Sequence, residues 1–141
     1  VTPRRTFIDA GVLVAAARGK GDLATQAMRI LDDPNREFVG SPFLKLEILP
    51  KPIYEKRREE AEFYEAFFDA VSYRADSVED IVRNAYVEAC TYGLGAMDAL
   101  HVAAATSVGA EELITTEKEG KPIHRVDLVK VLFLQSLQDR D

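Results

Sequence analysis

Hydrophobic residues fall into two kinds of run along this chain. Short continuous runs, each closed by a polar residue or a turn, are Thr6-Phe7-Ile8, Glu37-Phe38-Val39, Val71-Ser72-Tyr73, Leu113-Ile114-Thr115 and the longer Val129 to Leu134. These predict strands, the last of them buried. Between them apolar residues recur at helical spacing. One helix is predicted from Ala10 to Arg18, and a second opens at Asp22 and carries Leu23, Ala27, Ile30 and Leu31. Ser41-Pro42 starts a third, with Ser as N-cap and Pro at the first helical position, followed by Phe43, Leu46 and Leu49. Pro50 and Pro52 are expected to end or kink it. A charged helix from about Tyr54 to Ala70 has Phe63, Ala66, Phe67 and Ala70 as its stripe, broadened by Tyr64 and Phe68. Ser77 to Asp80 resembles a capping box with Asp in the last position. The helix beyond it carries Val78, Ile81, Val82, Ala85 and Ala89 and ends near Gly93; an Ala-rich helix then runs from Ala96 to Val108 and closes at Gly109. Strands alternating with helices imply βαβ units and a parallel sheet covered on both faces.

Composition narrows the class. With 141 residues, 47% of them hydrophobic, one domain can bury a sizeable core without disulfides or structural metal. The single Cys90 cannot bridge internally and reads as a packing residue. With no signal peptide visible, a reducing cytoplasm is expected. No apolar run approaches the roughly 20 residues that span a bilayer, so no membrane association is expected. The net charge of −6 does not advertise a nucleic-acid binder. A protein that collects carboxylates to hold divalent cations would look acidic in the same way.

Most acids here sit among other charges, as in Lys56-Arg57-Arg58-Glu59-Glu60, and read as solvated helix faces. Three have apolar company instead: Asp9 in Phe7-Ile8-Asp9-Ala10, Glu47 in Leu46-Glu47-Ile48-Leu49, and Asp98 in Met97-Asp98-Ala99-Leu100. A carboxylate in apolar surroundings is costly unless it is hydrogen-bonded, paired or bound to metal. Asp9 follows the first strand, where ligands bind in open α/β sheets. Glu117 follows the fourth. If those strands are neighbours, the two acids emerge side by side, and Glu47 and Asp98 can lean in from flanking helices. Four carboxylates in one cleft repel unless cations neutralise them, and all-oxygen ligation suits Mg²⁺ or Mn²⁺. Each acid has a plainer reading. Asp9 could only cap its helix, Asp98 could complement a helix dipole, Glu47 could be amphipathic noise, and Glu117 could be plain loop.

These stretches together resemble the PIN-domain nucleases, and among them the VapC-type ribonuclease toxins. The resemblance covers nearly the whole chain. It rests on Phe7-Ile8-Asp9-Ala10, on Ser41-Pro42 through Glu47-Ile48-Leu49, on Gly93 through Ala103 with Met97-Asp98-Ala99-Leu100-His101 as its most specific part, and on Leu113-Ile114-Thr115-Thr116-Glu117. It implies an α/β fold, a three-layer α/β/α sandwich around a mostly parallel sheet of four to five strands, as a single domain over residues 1–141. It implies a metal site built from Asp9, Glu47, Asp98 and Glu117, holding Mg²⁺ or Mn²⁺, with these four residues catalytic. Thr115 matches a small hydroxyl residue near that metal, and Thr116 joins it as a substrate contact. RNA, single-stranded above all, is the implied substrate, a small antitoxin protein the implied partner, and a homodimer the implied assembly. Two positions depart from the pattern. Glu117 stands where Asp, less often Asn, is usual, and Gly11 where Asn, Ser or Thr is common.

The implied reaction is metal-assisted phosphodiester hydrolysis, in which one ion acidifies a bound water and a second neutralises the leaving oxygen. Arg18, Lys20, Lys118, Lys121 and Arg125 are candidates for phosphate contact. His101 reads as a core residue rather than a ligand, and His124 as a loop residue with neither role. Asp-dependent phosphoryl transfer of the dehalogenase or receiver type is a rival, but Asp9-Ala10-Gly11-Val12 supplies no second acid. The other alternative is a catalytically impaired PIN fold that binds RNA or a protein partner, motivated by Gly11 and Glu117.

Overall fold

The strand Arg4–Ile8 (β1) lies at the centre of a five-stranded parallel sheet. The structure, a computed structural model, describes residues 2–137. The other strands are Arg36–Gly40 (β2), Tyr73–Arg74 (β3), Glu112–Thr115 (β4) and Lys130–Phe133 (β5), in the spatial order β3-β2-β1-β4-β5. β1 pairs with β2 on one side, Thr6 opposite Phe38, and with β4 on the other, Phe7 opposite Leu113. A central parallel strand has both faces covered, and Thr6, Phe7 and Ile8 are fully buried. β4 is buried along its whole length for the same reason. β5 differs from the expectation of a buried strand: it is an edge strand, exposed at Lys130 and half-buried from Val131 to Phe133.

Seven α-helices among the described residues cover the sheet: Ala10–Arg18 (α1), Gly21–Leu31 (α2), Pro42–Ile48 (α3), Pro50–Tyr54 (α4), Arg58–Ala70 (α5), Val78–Tyr92 (α6) and Ala96–Ser107 (α7). Local chemistry sets several of their ends. Gly19 closes α1 with φ 63°, a left-handed conformation that glycine adopts without strain. The Ser41 hydroxyl accepts from the Phe43 N–H at 3.1 Å, with Pro42 as the first residue of α3. α7 is Ala-rich because it is buried on more than one side: Ala99, His101, Val102, Ala103, Ala104 and Ala105 are all inside. Small side chains let it lie close against α6, α3 and β4 at once.

Four details differ from the sequence reading. The charged helix does not run from Tyr54 to Ala70: Tyr54 ends α4, and Glu55-Lys56-Arg57 intervene, with Lys56 at φ 60°. The buried face of α5 is Ala61, Tyr64 and Phe68, while Phe63 and Phe67 are only partly buried on its flank. Ser77 sits at the N-cap of α6 but its side chain makes no capping bond; Asp80 pairs with Arg83 instead. Cys90 is exposed, so it is not a packing residue.

The amino ends of β2 and β4 are closed by a buried ionic network. Arg36 Nε donates to Glu112 Oε2 at 2.7 Å, the Thr6 hydroxyl donates to the same oxygen at 2.6 Å, and Arg36 also bonds Asp33 at 2.8 Å. Every charge there has a partner. The carboxyl ends of the same strands are different.

Candidate active site at the carboxyl ends of β1 and β4

Asp9 follows β1 directly and caps α1. Its Oδ1 accepts from the Val12 N–H at a long 3.4 Å, and its own N–H bonds Ile114 of β4 at 3.1 Å. The Thr115 hydroxyl, at the end of β4, donates to Asp9 Oδ2 at 2.5 Å. The neighbouring strands required for Asp9 and Glu117 to emerge together are thus present. The same Thr115 oxygen accepts from the Glu117 N–H at 3.0 Å, which ties the backbone of Glu117 to Asp9 through one hydroxyl. His124 Nε2 bonds the Glu117 carbonyl at 2.7 Å and steadies that turn.

Burial pushes the Asp9 carboxyl up to about 6, a rise increased by the nearby negative charge of Asp98 and opposed by Thr115, His101 and the Val12 N–H. Asp98, half-buried in the first turn of α7, is also raised. Burial is the largest cause; the Glu117 and Glu47 carboxylates add to it, and His101 opposes it. Asp98 therefore lies within electrostatic reach of all three other acids, and it joins residues from four separate elements. No lysine or arginine among the described residues forms an ion pair with any of the four.

His101 is the residue that the sequence reading undervalued. It is buried at 2% exposure and stacks near Phe7, which fits a core residue. Yet its Nε2 lies 2.7 Å from Glu47 Oε1. Its Nδ1 is buried without a partner, so the proton belongs on Nε2, which donates to the carboxylate. His101 falls one turn after Asp98 on α7, and this spacing puts both on one face of the helix. That spacing was the available signal.

The basic candidates divide. Lys118 and Lys121 are exposed in the segment that follows Glu117, at the same edge as the carboxylates. Arg125 Nη1 donates to the Tyr92 carbonyl at 3.0 Å and ties this segment to the end of α6. Arg18 and Lys20 lie at the other end of α1, about 14 Å along the helix from Asp9 at 1.5 Å per residue. They line a separate cleft with Lys56, Arg57 and Arg58, and Arg18 approaches Glu60 there at 4.0 Å.

The donor set can be tested against a divalent metal. Among the described residues no three His, Cys, Asp or Glu side chains converge into a ready-made cage. Mg²⁺ does not need one, because it keeps several waters and binds through one or two carboxylates plus substrate phosphates. Oxygen donors only, mutually repelling and with no lysine or arginine partner among the described residues, fit a hard cation on that basis.

No family model matches the sequence, and no curated protein matches it either. Solved structures do match. VapBC2 from Rickettsia felis, bound to a DNA fragment from its promoter, superposes with a TM-score of 0.65 at 16% identity, covering 90% of this chain and 96% of that one. The chain has a VapC-type PIN-domain fold. A toxin–antitoxin complex from Klebsiella pneumoniae gives 0.65 at 18% identity over 88% and 94% of the two chains. DNA-bound VapBC from Salmonella typhimurium gives 0.64 at 13% over 91% and 96%. At these identities the likeness shows the PIN fold, with its parallel five-stranded α/β architecture, and no chemistry.

Proposed function

We propose that this PIN-fold protein is a Mg²⁺- or Mn²⁺-dependent endoribonuclease of the VapC toxin type, hydrolysing phosphodiester bonds of RNA. The observation that carries the reading is Asp98, raised by burial and by two acids, Glu117 and Glu47, while itself raising Asp9, with no lysine or arginine among the described residues paired to any of the four. Asp9, Asp98, Glu47 and Glu117 would hold the ion. When bound, it would supply an acidified water and neutralise charge on the phosphate. The protein's own part is orientation. Thr115 fixes the Asp9 carboxylate through Oδ2, and His101 fixes Glu47 through Oε1. Phe7 and Ile8, fully buried behind Asp9, keep water off its inner side. Lys118 and Lys121 would contact RNA phosphates nearby, and Arg18 and Lys20 would do so only for RNA that extends along α1.

A small antitoxin is the proposed partner. Met28, Leu31, Phe38, Phe63, Phe67 and Val71 line an apolar groove of about 260 Å³ between α2 and α5, suited to an apolar helix or strand of such a partner. A homodimer belongs to the same proposal. Val78, Val82 and Tyr86, one turn apart and exposed on α6, form an apolar stripe for it. No helix among the described residues is long and apolar enough to cross a membrane, and a cytoplasmic site of action is part of the reading.

The test is cleavage of a mixed single-stranded RNA pool with Mg²⁺, Mn²⁺ or EDTA, by the wild type and by Asp98→Asn. Metal-dependent cleavage by the wild type, reduced at least a hundredfold in the variant, is the expected result. The alternative is a PIN fold with impaired chemistry that only binds RNA or protein; the lack of a preformed cage favours it. RNA retained uncut by both proteins in every metal would select that alternative.

A further inference from the structure

Gly11 is the second residue of α1, and the space beside it is already taken. A Cβ placed on Gly11 would lie 2.0 Å from Thr116 Oγ1 and 3.1 Å from Thr116 Cβ. No side chain other than hydrogen fits at position 11 while Thr116 keeps its place. Gly11 does not need glycine for its backbone, because its φ is negative, unlike that of Gly19, Gly21, Gly93 and Gly109. The requirement is therefore steric, and it comes from one hydroxyl.

That hydroxyl has no structural use within the described residues. Thr115, its neighbour, donates to Asp9 and accepts from Glu117; Thr116 Oγ1 makes no hydrogen bond with any described residue. Thr116 is half-buried, just past β4, and its hydroxyl lies against Gly11 in the first turn of α1, next in sequence to the Thr115 that bonds Asp9. A helix residue that gives up its side chain to admit an unbonded hydroxyl at the edge of an acidic site makes little sense for packing alone.

We infer that Gly11 and Thr116 form a coupled pair in which the missing side chain of one admits the hydroxyl of the other, and that Thr116 Oγ1 donates a hydrogen bond to a phosphate oxygen of the bound RNA. The inference rests on the ribonuclease reading for its ligand, though not for its coupling. A neutral hydroxyl is the apt donor here. It adds no charge that would pair with Asp9 and hold the site shut, and it brings no acid to repel the phosphate.

Two readouts separate the parts. Thermal unfolding in EDTA is measured for Gly11→Ser, Thr116→Gly and the double variant. Gly11→Ser should lower the midpoint by roughly 5–10 °C in the wild-type background and by far less in the Thr116→Gly background. An equal drop in both backgrounds would overturn the coupling. Binding of fluorescein-labelled single-stranded RNA is measured by anisotropy, with Ca²⁺ in place of Mg²⁺ to hold turnover down. Thr116→Val, which keeps the shape and removes the hydroxyl, should bind about three- to tenfold more weakly with little change in unfolding. The double variant, which returns a hydroxyl from position 11, should bind more tightly than Thr116→Gly alone. Wild-type affinity in Thr116→Val would rule out the contact. A wild type that binds this RNA neither with Ca²⁺ nor in EDTA would remove both the contact and the ribonuclease reading, while the unfolding cycle still decides the coupling by itself.

Discussion

Asp9 is held where ionisation works against the fold. Its carboxyl rises from 3.8 to about 6, chiefly by burial, so the folded protein prefers the protonated acid more than the unfolded chain does. The sign follows directly. Below the unfolded value both states are protonated and nothing is lost; as pH climbs from about 4 to about 6 the folded state surrenders stability, up to about 3 kcal/mol, and above that the loss is constant. Asp9→Asn keeps a capping side chain and removes the charge. In EDTA it should therefore raise the unfolding midpoint at pH 8 and change it little at pH 4, as differential scanning calorimetry at the two values would read. A variant no more stable than the wild type at pH 8 would mean that Asp9 is not strained. The position of this acid was readable from the chain because Phe7, Ile8 and Val12 surround it with apolar residues. Its partner Thr115 was readable only through the family resemblance. The Glu47–His101 bond was not readable at all, since the two are 54 residues apart in sequence and meet only because α3 packs on α7.

Elements whose neighbours are sheet strands were the legible ones. β1 and β4 gave continuous apolar runs, and α1 runs from Ala10 to Arg18 as its pattern required. Helices at the periphery were misjudged, for a physical reason. Apolar residues do not always mark burial, because much of an ordinary folded surface is apolar too. α6 turns Glu88 inward and leaves Val78, Val82, Tyr86 and Val87 in solvent, and α5 leaves Phe63 and Phe67 at the rim of a groove. Hydrophobicity there predicted the wrong face because these helices carry apolar residues on exposed as well as buried positions. α7 is the opposite case. Its alanines mean close approach, and they hold Asp98 and His101 at a fixed distance from β1. Ala103 is fully buried, so Ala103→Leu forces three extra carbon atoms into a packed interface. It should destabilise the protein by about 1–3 kcal/mol in urea unfolding. An unchanged midpoint would show that α7 has room, and that the alanines are not what sets the site's spacing.

At the scale of the whole molecule, the parallel sheet has two unlike ends. At the carboxyl end, four acids share a region with no lysine or arginine paired to them among the described residues, and His101 bonds one of them, Glu47. Toward the amino end, Glu112 is as buried as Asp9, but Arg36, Thr6 and the more distant Arg4, at 3.8 Å, answer its charge. The contrast matters because the same strands supply both ends: β1 carries Thr6 at one and leads into Asp9 at the other, and β4 carries Glu112 and Thr115. A fold that pairs Glu112 with arginine, and gives the four acids at the other end no lysine or arginine, concentrates its electrostatic strain at one place. The amino-end network should then be purely structural. Arg36→Met leaves Glu112 buried and unpaired, and should cost about 3–5 kcal/mol of stability. Arg36→Met combined with Glu112→Leu removes both charges and should recover most of that loss. Neither change touches the carboxyl edge. Mn²⁺ affinity, measured by isothermal titration at a temperature where all the variants are folded, should therefore stay within a factor of two of the wild type. A large fall in Mn²⁺ affinity in the double variant would show that the two ends of the sheet are coupled, and that Glu112 is part of the site's electrostatics rather than of the scaffold alone.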